Sequence, residues 1–494
     1  MAGKVAVCYV PRLMTHASSP EAPASKPAFP LVFAVALALL LVGGGTVFFL
    51  IQHSRAPQSD LTLRQPGMDK GAKAGGAAAE SPLKRGQLLP GAGQPADIAG
   101  EWPRWRGPNG DNISDARIRL ANAWEASGPT KLWEIELGEG FAGAAVRNGC
   151  VYVMDYDMAK QADALRCLSL ADGKEIWRYT YPVKIKRYHG ISRTIPTIAG
   201  KYIVALGPKC HVICCEAETG KFVWGLDLVQ EFGAEVPQWY AGQCPLVDGD
   251  RVILAVGAEA LLIAVDLATG KPVWKSPNPR EWKMTHASVV PVEFGGKKMY
   301  VYCGSGGVAG VASDDGKILW DTTEWIISMA TVPSPLPVGD GKIFLSGGYN
   351  AGSLMLQLAQ TDNKIGVATL FRLKPGDFGA TQQTPILYQG KIFGVRPDGQ
   401  MTCLDLDGKV RWASGPAAKF GLGPFMIADG KIIAMNDDGR LTLAEASVDG
   451  WRQLAQAKVL SGPDSWGPLA LVTGRLLARD MTKMICLDLT GTKK

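Results

Sequence analysis

A short phrase recurs five times in this chain and limits what the chain can fold into. The phrase is Gly-Lys, two further residues and Trp, and a small or acidic residue precedes each Gly. The copies begin at Gly173, Gly220, Gly270, Gly316 and Gly408 and end at Trp177, Trp224, Trp274, Trp320 and Trp412. An apolar run comes before each copy, so the pattern predicts a strand, a tight turn at the Gly and a second strand that carries the Trp.

A second repeat interleaves with the first. A Gly followed by a β-branched or apolar run occurs eight times, at Gly149, Gly200, Gly249, Gly296, Gly341, Gly390, Gly430 and Gly474. Two turns per period imply four short strands, and a period of about 40–50 residues with four strands is typical of a β-propeller blade. We therefore predict an all-β domain over residues 101–494, an eight-bladed β-propeller of four-stranded blades.

The two ends of the repeat array predict how the ring closes. The last repeat runs from Gly474 to the end of the chain without a Trp strand, whereas residues 131–137 contain Trp133 and have no preceding strands. We expect residues 131–137 to complete the last blade, because a closed ring leaves no sheet edge exposed at the junction. We expect Trp133 and the five repeated tryptophans to pack between neighbouring blades.

The chain before the repeats divides into three segments. Residues 31–51 carry no charge and are long enough to span roughly 30 Å of hydrocarbon as a helix, which predicts a transmembrane signal anchor, with a cleaved signal peptide as the alternative. Basic residues before this run place residues 1–30 in the cytoplasm and the propeller on the extracytoplasmic, periplasmic side of the cytoplasmic membrane. Residues 52–100 are rich in Ala, Gly and Pro, and we expect them to form a disordered linker.

The repeats resemble the pyrroloquinoline quinone (PQQ) repeat, in which a unit similar to Leu-Asp-x-x-Thr-Gly-Lys-x-x-Trp forms the last two strands of a blade. Residues 102–110, WPRWRGPNG, resemble the start of many exported PQQ-like propellers. The resemblance covers about residues 100–494. That family contains quinoprotein dehydrogenases and also non-enzymatic scaffolds such as the outer-membrane assembly lipoprotein BamB. The resemblance therefore implies the fold and leaves the activity open.

Residues that could carry chemistry are few. Cys167, Cys214, Cys403 and Cys486 occupy the same strand position before a repeated turn, where Cys acts as a small hydrophobic residue. Cys214 and Cys215 resemble the vicinal disulfide of PQQ alcohol dehydrogenases, but they fall inside a strand, where neighbours point to opposite faces. No haem motif, nucleophile elbow or phosphate-binding loop is present, and no Asp, Glu and Asn cluster marks a Ca²⁺ site. We predict no catalytic site, no metal site and no cofactor. PQQ and Ca²⁺ would be cofactors only if the chain were a quinoprotein dehydrogenase.

The connections between blades predict a binding face. Each connection from the last strand of one blade to the first strand of the next carries an aromatic residue, and such connections gather around the channel mouth of a propeller. The candidate face comprises Phe141, Tyr188, His189, Arg193, Trp239, Trp282, Trp325, Phe378, Phe420 and Trp466. Loops on a rigid scaffold often bind partners, and aromatic residues are favoured as anchors. The alternative is that the rings fill gaps between the blades.

The charge balance excludes one class of partner. Residues 101–494 hold 52 − 9 = 43 basic and 46 − 5 = 41 acidic residues, so the domain is nearly neutral and gives no electrostatic case for nucleic acid. The residues favour a membrane-anchored binding or assembly scaffold with a protein or envelope partner. A PQQ-dependent quinoprotein dehydrogenase and an envelope polysaccharide-binding module are the alternatives.

Overall fold

A computed structural model describes residues 81–114, 118–187 and 189–491, all within the unit Leu63–Lys494. The predicted anchor over residues 31–51, the segment 1–30 and residues 52–80 lie outside the described residues. No helix within the described ranges has both the length and the apolar character needed to cross a membrane. The described helices are a 3₁₀ turn, Pro82–Arg85, and one short α-helix, α1 (Leu228–Phe232), capped by Asp227.

Four strands precede the blades: β1 (Gln87–Pro90), β2 (Glu101–Trp102), β3 (Ile113–Ser114) and β4 (Thr130–Glu136). The blades follow in chain order: blade 1, β5 (Ala145–Arg147), β6 (Cys150–Asp157), β7 (Ala162–Ser169), β8 (Glu175–Pro182); blade 2, β9 (Thr197–Ala199), β10 (Tyr202–Leu206), β11 (His211–Glu216), β12 (Phe222–Asp227); blade 3, β13 (Leu246–Asp248), β14 (Arg251–Ala255), β15 (Leu262–Asp266), β16 (Pro272–Lys275); blade 4, β17 (Val290–Phe294), β18 (Lys297–Gly304), β19 (Gly307–Ala312), β20 (Ile318–Thr322). The second half of the ring comprises blade 5, β21 (Leu336–Gly339), β22 (Lys342–Gly347), β23 (Gly352–Thr361), β24 (Lys364–Leu373); blade 6, β25 (Ile386–Tyr388), β26 (Lys391–Val395), β27 (Met401–Leu404), β28 (Val410–Ala413); blade 7, β29 (Phe425–Ala428), β30 (Lys431–Met435), β31 (Arg440–Glu445), β32 (Gln453–Lys458); and blade 8, β33 (Ala470–Val472), β34 (Arg475–Arg479), β35 (Lys483–Asp488).

The eight predicted four-stranded blades are confirmed in the described part of the chain. First strands of neighbouring blades contact one another, as β5 contacts β9 and β33, so these strands surround the central axis. Blade 8 takes its fourth strand from β4, which pairs antiparallel with β35 and sets Trp133 opposite Cys486. The predicted closure of the ring by residues 131–137 is therefore confirmed.

The Gly-Lys-x-x-Trp phrase joins each blade to the next. The Trp224 indole of blade 2 lies over Gly270 in the turn of blade 3, where an added Cβ would meet the ring at 2.6 Å. Its Nε1 donates a hydrogen bond to the carbonyl of Leu267, at 2.8 Å, in that turn. Gly270 also has a φ of +69°, which favours glycine. The Gly of the phrase is thus required twice, by its own backbone and by the tryptophan of the preceding blade.

The same contact recurs around the ring and confirms the predicted packing of the tryptophans. Trp133, Trp177, Trp274 and Trp412 are buried and donate from Nε1 to carbonyls in the next blade, those of Leu170, Glu218, Ser313 and Ser447. Blade 5 is the exception, because its last two strands extend to ten residues each and Asn363 replaces the Gly of the phrase. Trp320 of blade 4 therefore contacts Met299 Sδ of its own blade at 3.2 Å.

The folded part of the chain begins before residue 101. Strand β1 pairs antiparallel with the outer strand β8 of blade 1, and Tyr179 Oη donates to the carbonyl of Leu83. The described residues of the expected linker, 81–100, thus include an ordered segment. Strand β8 is the outer strand of blade 1, so the backbone groups on its outer side are free to pair with a further strand, which here is β1.

The cysteines behave as core residues. Cys167, Cys214, Cys403 and Cys486 are fully buried and form no disulfide. Cys214 and Cys215 lie in β11, also without a disulfide, and burial raises the pKa of both thiols. The interpretation of these residues as small hydrophobic side chains is confirmed.

Candidate functional site

Residues 101–114, the channel segment, cross the centre of the propeller. Strand β2 pairs with β5 of blade 1, and β3 pairs parallel with β29 of blade 7. The amide of Ile198 in blade 2 donates to the carbonyl of Pro103 at 2.8 Å. Because β5, β9 and β29 are first strands and lie around the axis, the channel segment occupies the central channel.

Arg106 fastens the channel segment to the ring. Its guanidinium donates to four carbonyls: those of Gly110 and Asp111 in the segment, and those of Thr384 and Pro385 before blade 6, all at 2.9–3.0 Å. Burial lowers the pKa of Arg106 to about 10, so the group stays charged near neutral pH. A planar guanidinium suits four convergent acceptors better than an ammonium does. The WPRWRGPNG segment is therefore held in the central channel and blocks it.

A cavity of about 220 Å³ lies on one side of the channel segment. Trp105, Arg106 and Asn112 of the segment form part of its lining. All eight connections between blades contribute to the rest, through residues including Phe141, Arg193, Trp239, His286, Val332, Gln383, Leu422 and Trp466. We call this space the central cavity. The channel segment supplies its floor, and the connections supply its walls.

Four of the predicted face residues form one cluster in this wall. Phe141 and Trp466 stack with ring centroids 5.1 Å apart, and His189 contacts both rings edge-on. The Arg193 guanidinium lies over Phe141, 5.0 Å from the ring centroid. Such a cation–π contact holds a charged group at an aromatic surface. The cluster joins three consecutive connections, those from blade 7 to 8, from 8 to 1 and from 1 to 2.

Backbone carbonyls orient Arg193. Its Nε donates to the carbonyl of Trp239 at 2.7 Å, and its Nη2 donates to the carbonyls of His189 and Gly190. These acceptors fix the guanidinium without supplying a full negative charge. Trp239 in turn lies 6.1 Å from the His286 ring. Predicted residues Phe141, His189, Arg193, Trp239 and Trp466 are therefore brought together at the central cavity.

The lining of the cavity combines Arg106 and Arg193 with neutral groups. Burial, and then the charge of Arg193, lower the pKa of His286 to about 3, so this imidazole is neutral above that pH. Burial raises the pKa of Tyr349, and the charge of Arg193 opposes that rise. No Asp or Glu is among the described residues that line the cavity. Behind the wall, Asp437 accepts a hydrogen bond from Trp466 Nε1 at 2.7 Å, and Asp464 lies 4.0 Å from His189 Nε2, so carboxylates offset the charges of the two arginines.

Four other aromatic residues expected on the face do not line the central cavity and are buried beside the blades. Trp282 packs over Gly304, at the end of β18, and Gly306, in the turn that follows, and Trp325 lies beside Gly347 of blade 5. Phe378 covers Gly394, and Phe420 packs edge-on against Trp451. These rings fill gaps beside the blades, which is the alternative stated for the candidate face. Glycines have no side chain, so they leave room for the rings. Tyr188 lies outside the described residues.

Sequence reasoning missed several residues of the central cavity. Trp105, Arg106 and Asn112 belong to the WPRWRGPNG segment or follow it, and this phrase was the available signal for them. His286, Tyr349 and Gln383 come from three different blade connections or turns. No local pattern distinguishes them, because their proximity arises only when the ring closes.

For a dehydrogenase, the PQQ resemblance implies a site that holds Ca²⁺ and the quinone. Ca²⁺ takes six to eight oxygen ligands, usually with carboxylates among them. The described residues contain no group of three His, Cys, Asp or Glu that could hold a metal ion, and the cavity lining contains no carboxylate. The residues present therefore do not fit this group.

Closed eight-bladed architecture, interblade tryptophans and a central cavity define a PQQ-like β-propeller. The model of the family described as outer membrane protein assembly factor BamB matches residues 161–414, just over half of the chain, and the chain belongs to this family. BamB from Vibrio cholerae is 31% identical over 140 residues, which cover 28% of this chain and 34% of the relative. The matched region thus spans about a third of that relative's length.

Solved structures support the fold. The crystal structure of BamB from Moraxella catarrhalis superposes with a TM-score of 0.51 at 14% identity, covering 73% of this chain and 99% of that one. The computationally designed Ika8 protein gives a TM-score of 0.50 at 10% identity, covering 73% of this chain and all of its own. At these identities the likeness concerns the fold alone.

Proposed function

We propose that this protein is an extracytoplasmic binding or assembly scaffold and that its partner binds at the face containing the central cavity. The family, and the matched relative, are described as an assembly factor, which supports such a role. The observation that carries the proposal is the cavity itself. All eight connections and the channel segment build one concave, largely apolar surface with a few oriented polar groups, the usual form of a binding site.

The proposed scaffold is anchored to the cytoplasmic membrane by residues 31–51. The support for this part lies in the sequence, where a charge-free run follows Lys4, Arg12 and Lys26. Residues 1–30 are then cytoplasmic, and the propeller is periplasmic. Protease added to spheroplasts should digest the propeller; a propeller protected until the membrane is broken would contradict this topology.

A scaffold accounts for the central cavity better than a quinoprotein dehydrogenase does. The lining provides aromatic rings, amides and Arg193 but no carboxylate for a Ca²⁺ ion or for general base catalysis among the described residues. We therefore propose a role without PQQ or Ca²⁺. Alcohol-dependent dye reduction by the full-length protein after addition of PQQ and Ca²⁺ would replace the scaffold proposal with the enzymatic alternative.

Site-specific photo-cross-linking tests the binding face. A photoreactive phenylalanine analogue replaces Tyr349, which is 39% exposed and lines the central cavity. The matched control carries the same analogue at Val410, which is 43% exposed on the outer strand β28 of blade 6. We expect a discrete protein adduct in intact cells from position 349 and none from position 410. Equal adducts from both positions, or an adduct only with polysaccharide, would overturn the proposal.

A further inference from the structure

A belt of hydrogen bonds runs around part of the wall of the central cavity. It joins residues that stand two positions before the first strand of a blade, from blade 2 to blade 6. Each backbone amide of the belt donates to the side chain of the next blade: Ile195 to Cys244 Sγ, Cys244 to Ser288 Oγ, Ser288 to Ser334 Oγ and Ser334 to Thr384 Oγ1, at 2.8–3.3 Å. All of these residues line the cavity, so the belt places three hydroxyls in its wall.

The belt does not use its hydroxyl hydrogens. The oxygens of Ser288, Ser334 and Thr384 each accept one amide, and no described residue accepts a hydrogen bond from their O–H groups. Gln383 adds an acceptor, because its Nε2 donates to two backbone carbonyls before blade 7 while its Oε1 is buried and has no partner in the described part of the chain. Buried polar groups are nearly always hydrogen-bonded. The wall therefore favours an occupant that both donates and accepts.

Charged groups do not select that occupant. Backbone carbonyls engage both Arg106 and Arg193, and the carboxylates of Asp437 and Asp464 lie behind the wall. His286 is neutral, since burial lowers its pKa to about 3. An ion that entered the cavity would lose its hydration without gaining an unpaired counter-charge. A neutral occupant is therefore favoured.

Aromatic rings and the size of the space restrict the occupant further. Trp239 and Trp466 are half-buried and Tyr349 is 39% exposed, and all three line the cavity. Its volume of about 220 Å³ equals that of roughly seven water molecules, which is room for a single six-membered ring with its substituents. A pyranose has C–H faces that pack on aromatic rings and a rim of hydroxyls that donate and accept. Equatorial hydroxyls leave both of its faces apolar.

We propose that the central cavity binds one neutral pyranose ring with equatorial hydroxyls. Its C–H face packs on Trp239, and its hydroxyls accept from Ser334 and Thr384 and donate to Gln383 Oε1. A hydroxyl suits this wall because a single group serves the O–H donors and the acceptor together. A peptide amide carries its donor and its acceptor on separate atoms, and water has no apolar face. This inference goes beyond the proposed scaffold function and does not depend on it.

Saturation-transfer NMR of the full-length protein, in a detergent without a sugar headgroup, tests the inference. The probes are methyl β-D-glucopyranoside, its uronate, cyclohexylmethanol and N-acetylglycinamide. We expect the ring C–H protons of the glucoside to receive saturation from the aromatic wall. The other probes should bind at least about tenfold more weakly, because the uronate buries a charge, cyclohexylmethanol lacks most of the hydroxyls and the amide lacks the apolar face.

Variants connect binding to the named residues. Trp239→Leu should weaken binding of the glucoside by about threefold to tenfold, and Trp451→Leu, which removes another half-buried indole outside the cavity lining, should leave it unchanged. Thr384→Val should weaken binding about fivefold. Thr442→Val is its matched control, since Thr442 is also buried and accepts an N–H, from Gln456, outside the cavity lining. Thermal unfolding of each variant checks that it is folded.

A trisaccharide with the same terminal ring, cellotriose, distinguishes two sources of the sugar. Binding as tight as that of the glucoside would identify the site with the end of a glycan chain. Binding at least about tenfold weaker would identify it with a free sugar. Both results support a site for a neutral pyranose.

Several outcomes would overturn the inference. These are no saturation transfer to the glucoside, equal binding of cyclohexylmethanol or the amide, tighter binding of the uronate, or glucoside binding that Trp239→Leu and Thr384→Val leave unchanged. The adducts from position 349 test the scaffold function separately. A protein adduct without glucoside binding would leave the scaffold and remove the sugar site, and glucoside binding without a protein adduct would do the reverse.

Discussion

Replacing Trp224 should show how much one interblade tryptophan stabilises the ring. The side chain is 7% exposed, lies on Gly270 of the next blade and donates to Leu267. A buried indole removes about 150–250 Å² from water, which at about 25 cal/mol per Å² is worth about 4–6 kcal/mol. The hydrogen bond adds about 1 kcal/mol. Partial relaxation around the vacated site reduces the loss, so Trp224→Ala should lower the free energy of unfolding by about 3–5 kcal/mol.

The exception in blade 4 provides a matched control. Trp320 is 5% exposed, but its Nε1 contacts Met299 Sδ rather than a carbonyl of the next blade. Trp224→Phe and Trp320→Phe remove the same atoms from similarly buried sites. Only Trp224→Phe leaves a carbonyl without the indole donor, so it should cost about 1 kcal/mol more than Trp320→Phe.

Urea unfolding of the full-length protein in mild detergent measures both differences. Far-UV circular dichroism and tryptophan fluorescence must give the same transition for a two-state free energy to apply. A loss below about 1 kcal/mol for Trp224→Ala would refute the area argument. Equal losses for the two Phe variants would refute the assigned role of the interblade hydrogen bond.

Two further predictions concern buried charged groups. Burial raises the pKa of the Asp163 carboxyl from 3.8 to about 7, while Tyr181 Oη donates to it at 2.6 Å. The folded state therefore keeps a proton that the unfolded state releases above about pH 4, so this group's contribution to stability falls as pH rises to about 7. Asp163→Asn should remove that dependence, so the variant should gain stability relative to the parent as the pH is raised from about 4 to about 7. Urea titrations across this range measure the difference in free energy of unfolding, and a difference that does not change with pH would contradict the prediction. Arg106→Lys should lower the free energy of unfolding by about 2–3 kcal/mol, because an ammonium cannot reach all four carbonyls. Amide hydrogen exchange in β2 and β3 should also become faster. Unchanged exchange would show that Arg106 does not hold the channel segment in place.

The fold could be predicted because its information is local and repeated. Each Gly-Lys-x-x-Trp copy specifies a turn and a neighbouring contact within about one blade of chain, as Trp224 and Gly270 show. Repetition of that unit leaves few architectures, and the unpaired strand at residues 131–137 had one vacant place to occupy, beside β35. The degenerate copy at Asn363 also has a structural counterpart, the elongated hairpin of blade 5.

The candidate site was predicted in part. Its location at the connections follows from propeller topology, and Phe141, His189, Arg193, Trp239 and Trp466 do line the central cavity. Trp282 and Phe378 carry the same local pattern but lie outside the cavity lining, because their rings pack on Gly306 and Gly394. Whether a loop aromatic faces the cavity or a gap depends on the side chains opposite it, which come from distant parts of the chain.

The sequence by itself determined the number of blades, their strand order and the strand pairing that closes the ring. The reason is that the repeat period, the turn residues and the alternation of apolar and polar residues are properties of short segments. Only the tertiary structure decided what occupies the channel. The WPRWRGPNG segment is recognisable in sequence, but its place rests on acceptors that lie far along the chain, the carbonyls of Thr384 and Pro385 for Arg106 and the strand β29 for β3. Those partners exist together only after the ring has closed, so the floor of the central cavity and the charge it presents are consequences of closure.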